Sequence, residues 1–287
     1  MTYTLAIGDR AYSSWSLRGW LLFDAFGIPV KTQSARLYTD ELPAVLAQFV
    51  PARTVPVMRC PDGAVVPDSL AMAEELASRH PGAGLLPADP KARAVVRVLM
   101  TEMHAGFGAL RNYCPMNLRV SYANCAAPQA VLDDLARLET LWDWARAQTG
   151  NGAWLCGAYS AADAFYAPVA ARIAGYNLGV GTQAQSYVAA HLAHPSFRRW
   201  RAMGHADGAD QANYFRDYPR RDWPGAGVAG ALAKGPSVNT ACPYSGDPVT
   251  HFMAYGDRVW GFCNAFCRDK TLADPGAWPQ FMALYNS

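Results

Sequence analysis

The stretch Tyr3-Thr4-Leu5-Ala6-Ile7-Gly8-Asp9 runs through Tyr12 into Ser13-Ser14-Trp15-Ser16-Leu17-Arg18-Gly19-Trp20-Leu21-Leu22-Phe23. Residues 3–7 are apolar and β-prone and close on Gly-Asp, which predicts a short strand. Three serines then give a capping start to an apolar run long enough for a helix, with Gly27 at its stop. Working outward, residues 29–37 predict a second strand and 41–49 a short helix after Asp40. Residues 55–58 predict a third strand. Pro61-Asp62-Gly63 turns the chain into a fourth at 64–66, in hairpin geometry. Asp68-Ser69 opens a helix that runs to about residue 80. The order βαβαββα predicts an α/β domain with a mixed sheet, not a doubly wound one.

Residues 81–90 are rich in Gly and Pro and read as a linker. Beyond them strand signals stop. Helical periodicity recurs at about 91–110, 129–149, 161–174, 183–192 and 195–203, which predicts an all-α domain over 91–215. Ser160 and Asp163 are spaced as a capping box at one of these helix starts. Residues 216–239 hold several Gly, Pro and Ala and read as a second linker. The tail, 240–287, changes character again, with Cys242, Cys263 and Cys267 set among aromatics.

Composition narrows the function classes. At 287 residues there is room for two domains and a small module. A hydrophobic share of 51% against 17% charged excludes disorder of the whole chain. Its 25 basic residues face 23 acidic ones, a net charge of +2, which argues against nucleic acid as the main partner. No apolar run approaches the ~18–20 residues that span a bilayer, and the start lacks a signal-peptide pattern. The expectation is a cytoplasmic protein with no membrane partner. Seven cysteines then read as free thiols or metal ligands.

Four pieces of the chain carry a resemblance: Tyr12 to Arg18, Thr54-Val55-Pro56-Val57, Pro67-Asp68-Ser69-Leu70-Ala71-Met72, and residues 155–163. In this order and spacing they resemble a cytosolic glutathione transferase over about residues 1–210. The resemblance implies a thioredoxin-like, glutathione-binding domain at 1–80, an all-α transferase domain behind it, and a homodimer. Thioredoxin-type exchange is excluded at the first helix start, where Ser13-x-x-Ser16 stands in place of Cys-x-x-Cys. A serine hydroxyl there can donate to a bound thiolate, and the helix N-terminus favours the negative charge. The run is similar to the zeta class, whose motif reads Ser-Ser-Cys, with Trp15 standing where the zeta Cys would be. That similarity implies Ser13 as the catalytic serine and Ser14 as the runner-up, with Tyr12 also in reach of the sulfur. The family holds a cis proline at the position of Pro56, which would present the Val55 backbone to an extended peptide. Asp68 and Ser69 would take the γ-glutamyl end of glutathione. Each of these serines also reads as a plain helix cap, and Val55-Pro56 as an ordinary strand start. Arg111 and Arg119, around Pro115, are candidates for binding an anionic acceptor or a glutathione carboxylate.

The tail cysteines are separated by twenty and then three intervening residues, so Cys263 and Cys267 fall at i and i+4 on one helix face. Residues 240–278 resemble the small YHS or TRASH metal-binding modules, a hairpin followed by a helix. Three thiolates would suit zinc or another soft metal. Ser245 stands where a second knuckle cysteine would be, which leaves His251 and Asp269 as candidate fourth ligands. The chain therefore reads as a glutathione-dependent transferase or isomerase acting on a small electrophile. The alternative is a non-catalytic, transferase-like binding protein with a metal-binding or partner-binding tail.

Overall fold

The computed structural model describes residues 2–287. β1 (Tyr3–Ile7) passes through a tight turn into α1 (Ser14–Asp24), followed by β2 (Val30–Ser34) and α2 (Glu41–Leu46). Then come β3 (Val57–Arg59), β4 (Val65–Val66) and α3 (Ser69–Arg79). The sheet order is β2-β1-β3-β4, with β1 parallel to β2 and antiparallel to β3. This is the expected mixed, thioredoxin-like sheet. Leu5, Ala6 and Ile7 are wholly buried, as a central strand covered on both faces requires. Against them α1 packs Leu17, Leu21, Leu22 and Phe23. Gly19 faces the third strand's entry: a Cβ there would stand 2.8 Å from Pro56 Cβ. The missing side chain lets the Val55-Pro56 turn lie directly on α1.

The helical half contains α4 (Pro90–Ala105), α5 (Gly108–Tyr113), the two-residue β5 (Ser121–Tyr122), α6 (Gln129–Thr149), α7 (Ala161–Tyr176), α8 (Thr182–Ala193) and α9 (Pro195–Ala206). All sixteen residues of α7 are buried, so it is the axis of this half. The Asp163 carboxylate at its start accepts from the Ser160 N–H and Oγ–H, both at 2.9 Å, and from the Tyr187 hydroxyl at 2.8 Å. The run expected as one helix over 91–110 is two. Gly106 closes α4 where a Cβ would meet the Glu102 carbonyl at 2.8 Å, and Phe107 turns the chain at φ 61°.

The stretch expected as a linker, 216–239, contains two strands. β6 (Arg220–Arg221) pairs with β5, and β7 (Ala231–Ala233) edges a three-stranded sheet with β8 (His251–Tyr255) and β9 (Arg258–Phe262). Both are short and half-exposed, held by backbone pairing, so they carry no apolar alternation to read. α10 (Ala265–Ala273) and α11 (Pro279–Tyr285) complete the expected hairpin-and-helix tail. The tail has its own small core of Met253, Trp260, Phe262 and Phe281, joined by Ala202 of α9. A bidentate pair between Arg198 of α9 and Asp274, at 2.7 and 2.8 Å, fixes it to the body. No described helix is long and apolar enough to cross a membrane.

Candidate functional site

A cleft of about 790 Å³ opens between the mixed sheet and the helical half. It brings together Tyr12, Ser13, Ser14, Val55, Pro56, Asp68 and Ser69 from the first half with His104, Arg111 and Arg172 from the second. The three loops that supply the first group lie side by side because β1 and β3 are neighbours and α1 and α3 pack together.

The two serines differ in what their protons do. Ser13 is the N-cap of α1: its Oγ accepts from the Ser16 N–H at 3.3 Å and donates to Ser16 Oγ at 2.8 Å. Its single proton is therefore committed within the cap. Ser14 Oγ accepts from Arg172 Nη2 at 3.3 Å and gives its proton to no described residue. Tyr12 donates its hydroxyl to Asp210 at 3.1 Å, and burial raises its pKa. Trp15 lies against the guanidinium of Arg18 (4.4 Å to the ring centre) and that of Arg111 (4.9 Å), with His104 edge-on at 5.2 Å.

The Val55-Pro56 bond is cis, and neither the N–H nor the C=O of Val55 has a hydrogen-bond partner among the described residues. Asp68 caps α3 by accepting from the N–H groups of Leu70 (2.8 Å) and Ala71 (3.1 Å). Its other oxygen faces His104 Nε2 at 3.3 Å. Ser69 Oγ is buried, lines the cleft and is unpartnered. An unpaired buried hydroxyl costs free energy unless a ligand supplies the bond.

Cationic groups crowd the other side. Arg18 is fully buried with all three guanidinium nitrogens unpartnered. Burial, then the neighbouring Arg111 and Arg172, pushes its pKa well down. Burial also lowers Arg111, and burial with the neighbouring Arg111 charge brings Arg172 down to about 10. Among the described residues none of the three makes an ion pair within 4.0 Å. Arg119, the other arginine singled out in the sequence, does not line this cleft. It ties Gly204, Asp207, Gly208 and Asp210 together at 2.8–3.0 Å. Cys114 is buried with its thiol pushed up to about 12, an inert packing residue. Arg172 and His104 were not singled out from the sequence. The one available signal was a lone arginine late in the apolar run of α7.

The tail brings Cys242, Cys263 and Cys267 together with all three Sγ atoms within 4.8 Å of one another. Ser245 Oγ and Asn264 Nδ2 point at Cys263 Sγ from 3.4 and 3.3 Å. Burial would raise Cys242, but N–H groups of Cys263, Tyr244 and Ser245 together outweigh it and bring the thiol down to about 7. Three convergent soft donors fit a soft or borderline cation. The two candidate fourth ligands are occupied elsewhere: His251 shares a proton with Thr250 at 2.9 Å, and Asp269 pairs with Arg268 at 2.7 Å.

Residues 12–79 match the family model described as Glutathione S-transferase, N-terminal domain. Over those residues the chain is similar to the N-terminal domain of glutathione transferases. It is 32% identical over 136 residues to a probable maleylacetoacetate isomerase of Caenorhabditis elegans, covering 46% of this chain and 62% of that relative. The chain thus spans under two thirds of that relative's length. A glutathione transferase homologue from Burkholderia, solved with bound glutathione, superposes with a TM-score of 0.55 at 20% identity, covering 71% of this chain and 98% of that one. A glutathione transferase from Methylococcus capsulatus gives 0.54 at 20% identity, with the same coverage of 71% and 98%. These structures share their fold with 71% of this chain.

Proposed function

We propose that this protein is a glutathione-dependent transferase or isomerase of a small electrophile that carries an anionic group. The observation that carries the reading is the uncommitted Ser14 hydroxyl at the start of α1, in one cleft with the free Val55 backbone and the unpartnered Ser69 Oγ. Glutathione would pair its backbone with Val55 and set its γ-glutamyl carboxylate at Ser69 and the α3 N-terminus, with Asp68 near the α-amino group. Its sulfur would then reach α1, where Ser14, rather than Ser13, donates to the thiolate. Serine donation and the positive helix end lower the thiol pKa, and the thiolate is the attacking form. It adds to an electrophilic carbon and either expels a leaving group or is itself expelled after the substrate's double bond has turned. Arg111 beside Trp15 supports the anionic group on the acceptor, as does the name of the Caenorhabditis elegans relative.

Retention on immobilised glutathione tests the binding half of this reading. A panel of maleylacetoacetate, a haloacid and a neutral chloronitroarene tests the chemistry. Retention with turnover of the anionic acceptors is expected. Failure to be retained, with no thermal stabilisation by free glutathione, removes the glutathione site.

The cysteine cluster supports a second function for the tail. Cys242, Cys263 and Cys267 would hold one zinc ion, leaving its fourth position to a ligand from outside the cluster. A homodimer and a reducing, cytoplasmic setting complete the reading, the latter supported by seven free thiols.

A further inference from the structure

We infer that Arg172 is a positioning residue for glutathione ionisation, acting through Ser14. The inference rests on the glutathione reading above and deepens it. Arg172 sits in α7, whose every residue is buried, and is itself only 4% exposed. A guanidinium in such a place is costly unless its donors are used and its charge has work to do. Its donors go to the Cys114 carbonyl (Nε, 2.8 Å), the Pro168 carbonyl (Nη1, 3.2 Å) and Ser14 Oγ (Nη2, 3.3 Å). The two carbonyls are on different segments and hold the guanidinium plane. The third bond crosses from the helical half to the first helix start. It meets a cleft-lining serine whose proton goes to no described residue.

A serine hydroxyl has one proton and two lone pairs. Arg172 fills a lone pair of Ser14, so the Ser14 proton must point elsewhere, and the open direction is the cleft. A donor already receiving a charge-assisted bond is also a stronger donor, because successive hydrogen bonds polarise one another. Ser13 cannot act in this way, since its proton is held by Ser16. The other charged groups at this end of the cleft are Arg18 on α1, Asp68 at the head of α3, His104 on α4 and Arg111 on α5. None of them makes a hydrogen bond to Ser14 Oγ. They set a background potential, whereas Arg172 aims the proton.

The test measures the pKa of enzyme-bound glutathione from the ultraviolet absorbance of its thiolate, in wild type, Ser14→Ala, Arg172→Met and the double variant. Arg172→Met should raise the bound thiol pKa by about one unit or more, the scale of losing one close charge-assisted contact. Glutathione affinity should barely change. In the Ser14→Ala background the same substitution should add little further, because the route through the hydroxyl is already gone. Arg172→Lys, which keeps the charge and packs more conservatively, should fall between wild type and Met. A thiol pKa unmoved in both Arg172 variants, with glutathione still bound, would overturn the assignment. So would fully additive shifts in the double variant, which would make Arg172 a charge acting directly on sulfur. Absence of glutathione binding by the wild type overturns the site reading itself, an outcome distinct from either.

Discussion

Ser69 and Asp68 are adjacent and spend their oxygens differently. Asp68 makes the cap, so the bland reading of that pair holds for one residue. Ser69 Oγ makes no bond and faces the cleft. Ser69→Ala should therefore weaken glutathione binding by about 1–3 kcal/mol, the range for a hydrogen bond to a charged group. The unliganded melting temperature should stay put, because nothing in the free protein is lost. Calorimetric titration beside a thermal melt separates the two. Equal affinity would take Ser69 out of the site. The same logic distinguishes Ser13 from Ser14, which look equivalent in sequence and are not. One sits at the N-cap, its hydroxyl on Ser16, and the other one residue on, its hydroxyl on Arg172.

At the scale of elements, α8, α9 and the residue that joins them hold three histidines, His191, His205 and His194, in places where charge is disfavoured. Burial brings His191 down to about 3, and burial with nearby cationic groups brings His194 and His205 down to about 4 each, against an ordinary value of 6.5. Both ring nitrogens of His191 lack partners, and its ring packs on Trp154 and Tyr187. A depressed folded-state pKa means that the unfolded chain takes up protons first as the pH falls. The stability these groups leave intact above pH 6.5 is lost progressively below it, down toward their folded values. Melting temperature should therefore fall between pH 7 and about 5, before most carboxylates titrate. His191→Phe, which keeps an aromatic of similar size, should make that fall shallower. A slope identical to wild type would locate the acid sensitivity elsewhere.

At the scale of the whole molecule, the tail is a small unit fastened to α9, and its cysteine cluster belongs to it alone. A module of this size would gain much of its stability from a metal held on its cysteines. Protein purified without chelator should carry about one zinc per chain. Stripping it should melt the tail early while the glutathione site, built by other elements, keeps its affinity. Elemental analysis with a two-probe melt checks both. Metal-free protein with an unchanged melt would mean that the three thiols pack merely as small apolar side chains and that Arg198–Asp274 docking suffices.

Local pattern determined the first half of this protein. Strand-then-helix at residue 13, the Pro-Asp-Gly turn and the Asp68 cap are readable because each depends on residues close in sequence. The same holds for the capping box at Ser160 and the i, i+4 pairing of Cys263 with Cys267. What only tertiary structure decided depends on partners far apart in the chain. Arg172 reaches Ser14 across 158 positions. Arg119 is tied to carbonyls more than eighty residues on. The strands at 220–221 and 231–233 exist because distant backbone is there to pair with them. Spacing records which residues share a face. It does not record where a hydroxyl proton points, since that is settled by whichever donor the folded chain brings to its lone pair.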